Sequence, residues 1–178
     1  LVRSRGLGDV YKRQVMDRAD KRRGKPTVHC KWNEATAILS GDAMLTMASQ
    51  LMGSGCNDKL SEVLDLFHGT AMEIYEGQQY DMDFESRDDV TVAEYIEMIR
   101  LKTSVLLGCA CRLGALMGGA DIEIQEALYR YGISLGLAFQ LQDDWLDTYG
   151  DPEVFGKNIG GDIMTVSYTH LRAHETVL

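Results

Sequence analysis

In Gln140-Leu-Gln-Asp-Asp-Trp-Leu-Asp147, the residues Gln140, Asp143, Asp144 and Asp147 are spaced i, i+3, i+4 and i+7. At about 100° per residue this spacing puts one amide and three carboxylates on a single stripe of a helix. No Lys or Arg lies within a turn of them, and each like-charged pair costs roughly 0.2–0.5 kcal/mol even in water. A divalent cation removes that penalty. Hard oxygen ligands on a rigid element suit Mg²⁺ that shares its coordination shell with substrate phosphates. A solvated acidic helix end would show the same cluster. The apolar approach, Leu135 to Phe139, favours a helix buried up to its acidic end, with Leu135, Leu137, Leu141, Trp145 and Leu146 as the apolar body opposite the stripe.

Lys102 is the second candidate. Its helical neighbours Met98, Ile99, Val105 and Leu106 are all apolar, whereas Arg100 has Glu97 three residues before it. An ammonium on such a surface must extend to water or meet an anion from another element, and Thr103 beside it offers a hydroxyl. A third cluster runs from Asp17 to His29: two aspartates one turn apart, then Lys21, Arg22, Arg23 and Lys25 at what reads as a helix end closed by Gly24 and Pro26. Adjacent arginine forks can grip two phosphate groups, and a basic helix end also complements the helix dipole. His29 reads as a turn residue. The glycine-rich segment Phe155-Gly-Lys-Asn-Ile-Gly-Gly-Asp162 lacks P-loop spacing. It is either a flap carrying Lys157 towards an anion or a plain loop.

The elements that must position these groups read as helices. Asn33–Met52 has a broad apolar face with Ala37, Leu45 and Leu51. Ser61–Tyr75 places Val63, Leu64, Phe67, Ala71 and Ile74 at helical intervals behind a Ser61 cap. Thr91–Leu107 opens on a capping box with Glu94, and Asp121–Asp147 starts from its own Asp cap. No segment alternates with period two, and no hairpin turn lies between β-branched runs, so the fold class is all-α. The chain has 178 residues, 45% hydrophobic, with net charge −9, which excludes a disordered chain and argues against general nucleic-acid binding. Ten Lys/Arg and three Asp/Glu fall in the first 32 residues, giving a basic front and an acidic body. Val105–Ala120 is too short and too interrupted to span a bilayer. Cys30, Cys56, Cys109 and Cys111 show no disulfide framework, so a reducing cytoplasm is expected. Cys109 and Cys111 read as buried thiols on different helix faces. Leu1–Gln14 and Val166–Leu178 read as translated adaptor, leaving residues 15–165 as the native part, incomplete at both ends, with no domain boundary inside it.

Taken in order, Asp…ArgArgGly-Lys-Pro-Thr-Val-His, Gly-Gln, Lys-Thr, Phe-Gln-Leu-Gln-Asp-Asp-x-x-Asp and Gly-Lys-Asn-x-x-Gly-Asp span about residues 15–164. The series resembles the trans-isoprenyl diphosphate synthases, or polyprenyl synthetases. That resemblance implies a helical bundle around a central cavity in which two aspartate-rich motifs hold Mg²⁺ on an allylic diphosphate. Isopentenyl diphosphate attacks the allylic cation, and proton loss gives a longer trans-prenyl diphosphate. It further implies a homodimer, for which the helix around Leu106–Ala120 is the candidate face.

By the same resemblance, Asp17 corresponds to the last aspartate of the first motif. Asp143, Asp144 and Asp147 correspond to the second metal motif, with Asp143 the direct ligand. Arg22 meets the allylic diphosphate and Arg23 isopentenyl diphosphate. Lys102, Thr103, Gln140 and Lys157 are further allylic-diphosphate contacts, and Gln78 and Asp81, in Gly-Gln-Gln-Tyr-Asp, form a polar site on the cavity wall. Lys102, Asp143 and Lys157 are the expected catalytic residues. The chain departs from the family where the first motif carries two more aspartates: it has Arg13 and Gln14. Thr165 stands where the family has a lysine. The polypeptide as written is therefore expected to be inactive. Two rival readings share the fold: a class I terpene cyclase, which would lack ArgArgGly-x-Pro-Thr, and a non-catalytic subunit of a heteromeric prenyl synthase. A plain helical scaffold with acidic ends is the third.

Overall fold

A computed structural model describes residues 12, 14–16, 19–22 and 24–149. It divides the chain into two units, Leu1–Leu64 and Asp65–Leu178.

The first unit corrects one expectation. The basic stretch is a hairpin and not a helix end: β1, Lys21–Arg22, pairs antiparallel with β2, Lys25–Pro26. Gly24 reverses the chain at φ +73°, a conformation that costs glycine little. Strands of two residues show no alternation, so periodicity could not reveal them. Thr27 closes the hairpin, its backbone N–H and its hydroxyl both donating to Asp20 O. The short α1, Val28–Lys31, comes next, and then α2, Glu34–Gly53. Asn33 caps α2 by accepting from Thr36 N at 2.7 Å. The expected apolar face of α2 is only partly covered: Ala37 and Gly41 are buried, whereas Leu45 and Leu51 are 36% and 48% exposed.

A 3₁₀ turn, Asn57–Lys59, leads into α3, Leu60–Phe84. Ser61 is therefore inside the helix and not its cap. The helix also runs nine residues beyond Tyr75, because Gly77 and the polar residues after it do not break a helix held by tertiary contact.

In the second unit, α4, Val92–Ile99, starts from the expected capping box: Glu94 N donates to Thr91 Oγ1, and Thr91 N donates to Glu94 Oε2. The helix does not continue unbroken to Leu107. One π turn, Arg100–Ser104, intervenes, with Val105 N donating to Arg100 O, before α5, Val105–Met117. Arg100 is pinned there by two 2.7 Å bonds to Glu97 and a longer contact to Glu73 of α3. Glu97 is held below the ordinary carboxylate range by those bonds. The last helix, α6, Ile122–Tyr149, begins where Asp121 Oδ1 accepts from Ile124 N, as expected.

The core of this unit is Phe84, Tyr95, Met98 and Ile99, against which Val90, Ile96 and Leu137 pack. Cys109 is buried and Cys111 half-buried, on different faces of α5. Burial pushes the Cys109 thiol up, as expected of a packed, unreactive thiol.

The capping box yields a prediction with a sign. Glu94 is held below the ordinary carboxylate range first by the Thr91 backbone N–H, then by the Thr91 hydroxyl and Arg87. A carboxyl with a depressed folded-state pKa stabilises the fold above its unfolded pKa, and that contribution is lost as pH falls through the folded value. Thr91→Ala will lower the unfolding midpoint by about 3 °C at pH 7. The deficit will shrink on acidification below pH 4, read from parallel melts. An equal deficit at both pH values would sink the capping argument.

Candidate active site

The close approach of three helices builds the site. A Cβ placed on Gly77 of α3 would overlap Lys102 N and lie 2.8 Å from Leu101 Cβ, and one on Gly136 of α6 would lie 2.5 Å from Ser104 Cα. Real Cβ atoms essentially never come so close, so the π turn sits flush against both helices. Lower down, Gly132 and Gly108 bring α6 and α5 together in the same way. A π turn inserts one extra residue per turn and rotates the residues after it, and such turns gather at functional sites. Here the turn carries Lys102 and Thr103.

Two polar chains converge on it. Lys102 Nζ donates to Asp81 Oδ2 of α3 at 2.5 Å, both side chains being mostly buried. The lysine that had no nearby anion on its own helix has thus met one from another element. Gln78, one turn before Asp81, is buried, and its Oε1 has no hydrogen-bond partner among the described residues.

In the second chain, Thr103 Oγ1 donates to Gln140 Oε1 at 3.0 Å and Gln140 Nε2 donates to Asp144 Oδ1 at 2.8 Å. The Tyr95 hydroxyl of α4 donates to Asp144 Oδ2. Asp144 is 6% exposed and Asp143 half-buried.

The stripe from Gln140 to Asp144 is therefore turned towards the π turn and α4 through Gln140 and Asp144. Its expected apolar body is largely outward instead: Leu135, Leu141 and Trp145 are exposed at 47%, 43% and 59%, while Leu137 joins the core. The polar stripe turns inward because Gly132 and Gly136 lie on that side and admit only close backbone.

On the second unit the structure joins Lys102 to Asp81, and Thr103 through Gln140 to Asp144, with Gln78 one turn before Asp81 and Asp143 next to Asp144 in sequence. Arg22 lies exposed on β1 in the first unit. Asp17, Arg23 and Lys157, with the whole glycine-rich segment, fall outside the described residues; Asp147 lies on α6 with its side chain not described. Sequence reasoning missed Tyr95, Gly77 and Gly136. Tyr95 falls at helical spacing with Met98 and Ile99, which signals burial but not the carboxylate 49 residues away that its hydroxyl meets.

Among the described residues no three His, Cys, Asp or Glu side chains form a metal centre, and no helix is long and apolar enough to cross a membrane. A carboxylate on a helix, such as Asp143, suits a hard cation that takes other ligands from water and substrate phosphates.

The polyprenyl synthetase family model matches residues 14–176. The chain is 47% identical over 157 residues to a geranylgeranyl diphosphate synthase of Methanosarcina mazei, covering 87% of this chain and 48% of that protein. It is 40% identical over 149 residues to a (2E,6E)-farnesyl diphosphate synthase of Mycobacterium tuberculosis, covering 84% and 42%. A crystal structure of a geranylgeranyl pyrophosphate synthase superposes with TM-score 0.89 at 53% identity, covering 96% of this chain and 53% of that one. A polyprenyl synthase of Caulobacter crescentus, complexed with calcium and isoprenyl diphosphate, superposes with TM-score 0.82 at 34% identity over 92% and 49%. The chain spans about half the length of these relatives. An all-α frame with Lys102-Thr103 on its π turn, Gln140 bonded to that turn and to Asp144, and relatives of this kind over most of its length leave one conclusion: the chain belongs to the polyprenyl synthetase family.

Proposed function

We propose that the protein to which this chain belongs condenses an allylic diphosphate with isopentenyl diphosphate to give a longer trans-prenyl diphosphate. The observation that carries the proposal is the π turn that bears Lys102 and Thr103, with Thr103 joined through Gln140 to Asp144 of α6. In this reading Asp143, with Asp147 one turn on, would hold Mg²⁺, and Asp17 belongs to the first metal motif. Bound there, the metal supplies charge neutralisation that eases departure of the diphosphate. The chain's own residues bind and orient: Lys102 supplies a compact positive charge, and the Thr103–Gln140–Asp144 chain fixes the amide that faces the same group. Arg22, Arg23 and Lys157 belong to the proposal as further diphosphate contacts. So do a homodimer, to which the half-exposed Leu106 and Met117 of α5 are available, and a reducing cytoplasmic setting suited to the free thiols.

Arg13 and Gln14, in place of two acidic ligands, make this polypeptide a binder of substrate and not a catalyst. The names of its relatives favour chain elongation over cyclisation.

The test is a melt of the 178-residue chain with Mg²⁺ and an unreactive allylic thiolodiphosphate. At a hundredfold excess over Kd the ligand contributes about 2.7 kcal/mol, a midpoint rise of roughly 5–10 °C. The rise should vanish when EDTA replaces Mg²⁺. A shift indifferent to the metal, or none at all, would remove the support for this reading.

A further inference from the structure

Lys102 is held from two directions. Its backbone is fixed by the Gly77 contact and the π turn, while its flexible four-carbon stem carries the ammonium onto Asp81, where the carboxylate accepts at 2.5 Å. The side chains of Lys102 and Asp81 are 26% and 15% exposed, so the pair is shielded enough for its attraction to exceed that of a surface pair. An anion that draws the Lys102 ammonium to itself parts it from Asp81. Parting leaves Asp81 mostly buried without this cation, and an uncompensated buried charge is costly.

We propose that Asp81 is a competing counter-ion for Lys102, which an incoming diphosphate displaces, and that Asp81 thereby sets how tightly the site takes anions. The inference rests on the assignment of Lys102 to the diphosphate and reverses the simplest expectation for Asp81, that it aids binding. Because the cost of parting the pair is the same whichever anion arrives, removing Asp81 strengthens the binding of each by one common factor.

The experiment is calorimetric titration of the 178-residue chain and its Asp81→Asn variant with inorganic pyrophosphate, with and without Mg²⁺, and with inorganic phosphate. Asp81→Asn, nearly the same shape without the charge, is expected to bind pyrophosphate about tenfold more tightly, a difference of about 1.4 kcal/mol. Phosphate gains by the same factor, and Lys102→Met in the Asn background abolishes the gain. Asp81→Ala repeats the measurement should the Asn variant fold poorly. If the parent binds pyrophosphate and the Asp81 variants bind it equally or less well, the counter-ion role is overturned while the diphosphate reading stands. If neither parent nor variant binds pyrophosphate, the diphosphate reading fails and this inference falls with it.

Discussion

Gly136→Ala will lower the unfolding midpoint of the chain by roughly 6–12 °C, whereas Gly114→Ala will raise it by a few degrees. On helix propensity alone both changes favour the helix by about 1 kcal/mol, since alanine loses less backbone entropy than glycine. Tertiary packing decides the sign. A Cβ at Gly114 meets nothing within 4 Å, but one at Gly136 would stand 2.5 Å from Ser104 Cα and 2.8 Å from its Cβ. These atoms cannot rotate away, so α6 and the π turn must separate. Overpacking of that kind costs about 1–3 kcal/mol, and more where backbone has to move. Ser104 is fully buried and adjoins Thr103, so the separation also stretches the 3.0 Å Thr103–Gln140 bond. Differential scanning calorimetry of the two variants checks the pair. Equal and small shifts would show that the close approach is absent in solution.

Asp143→Ala and Asp144→Ala will part company although the residues are neighbours. Asp144 accepts from Tyr95 and Gln140 at 6% exposure. Its truncation leaves two donors without this acceptor, and a buried group stripped of its partner costs about 1–3 kcal/mol. The ligand-free midpoint is expected to fall by roughly 5 °C, a drop that Tyr95→Phe reproduces in part. Asp143 is half-buried, so its removal should lower the ligand-free midpoint by less than that of Asp144. The Mg²⁺-dependent stabilisation by an allylic thiolodiphosphate should nevertheless disappear in Asp143→Ala. Melts of both variants with and without Mg²⁺ and ligand provide the check. A lost ligand response in both, with neither destabilised, would mean that Asp144 is a metal ligand like its neighbour.

The range of each interaction sets whether sequence alone could reveal it. Thr91 and Asp121 announced their helices because a cap is a contact between residues three apart. The stripe Gln140, Asp143, Asp144 and Asp147, and the pairing of Arg100 with Glu97, were legible for the same reason: helical spacing alone makes such residues neighbours. The all-α class came from the same periodicity.

Only the tertiary structure decided whatever depends on groups distant in sequence. The π turn replaces a continuous helix because α3 and α6 press on it through Gly77 and Gly136, which sequence shows only as scattered glycines. The hairpin at Lys21–Pro26 is too short to show a period. Lys102 advertised its need for an anion, but not that Asp81, 21 residues earlier, would meet it. Two aspartates that look alike in sequence differ because Tyr95 reaches one of them from another helix. Local spacing fixes which residues share a helix face, and packing between helices chooses which of those faces turns inward.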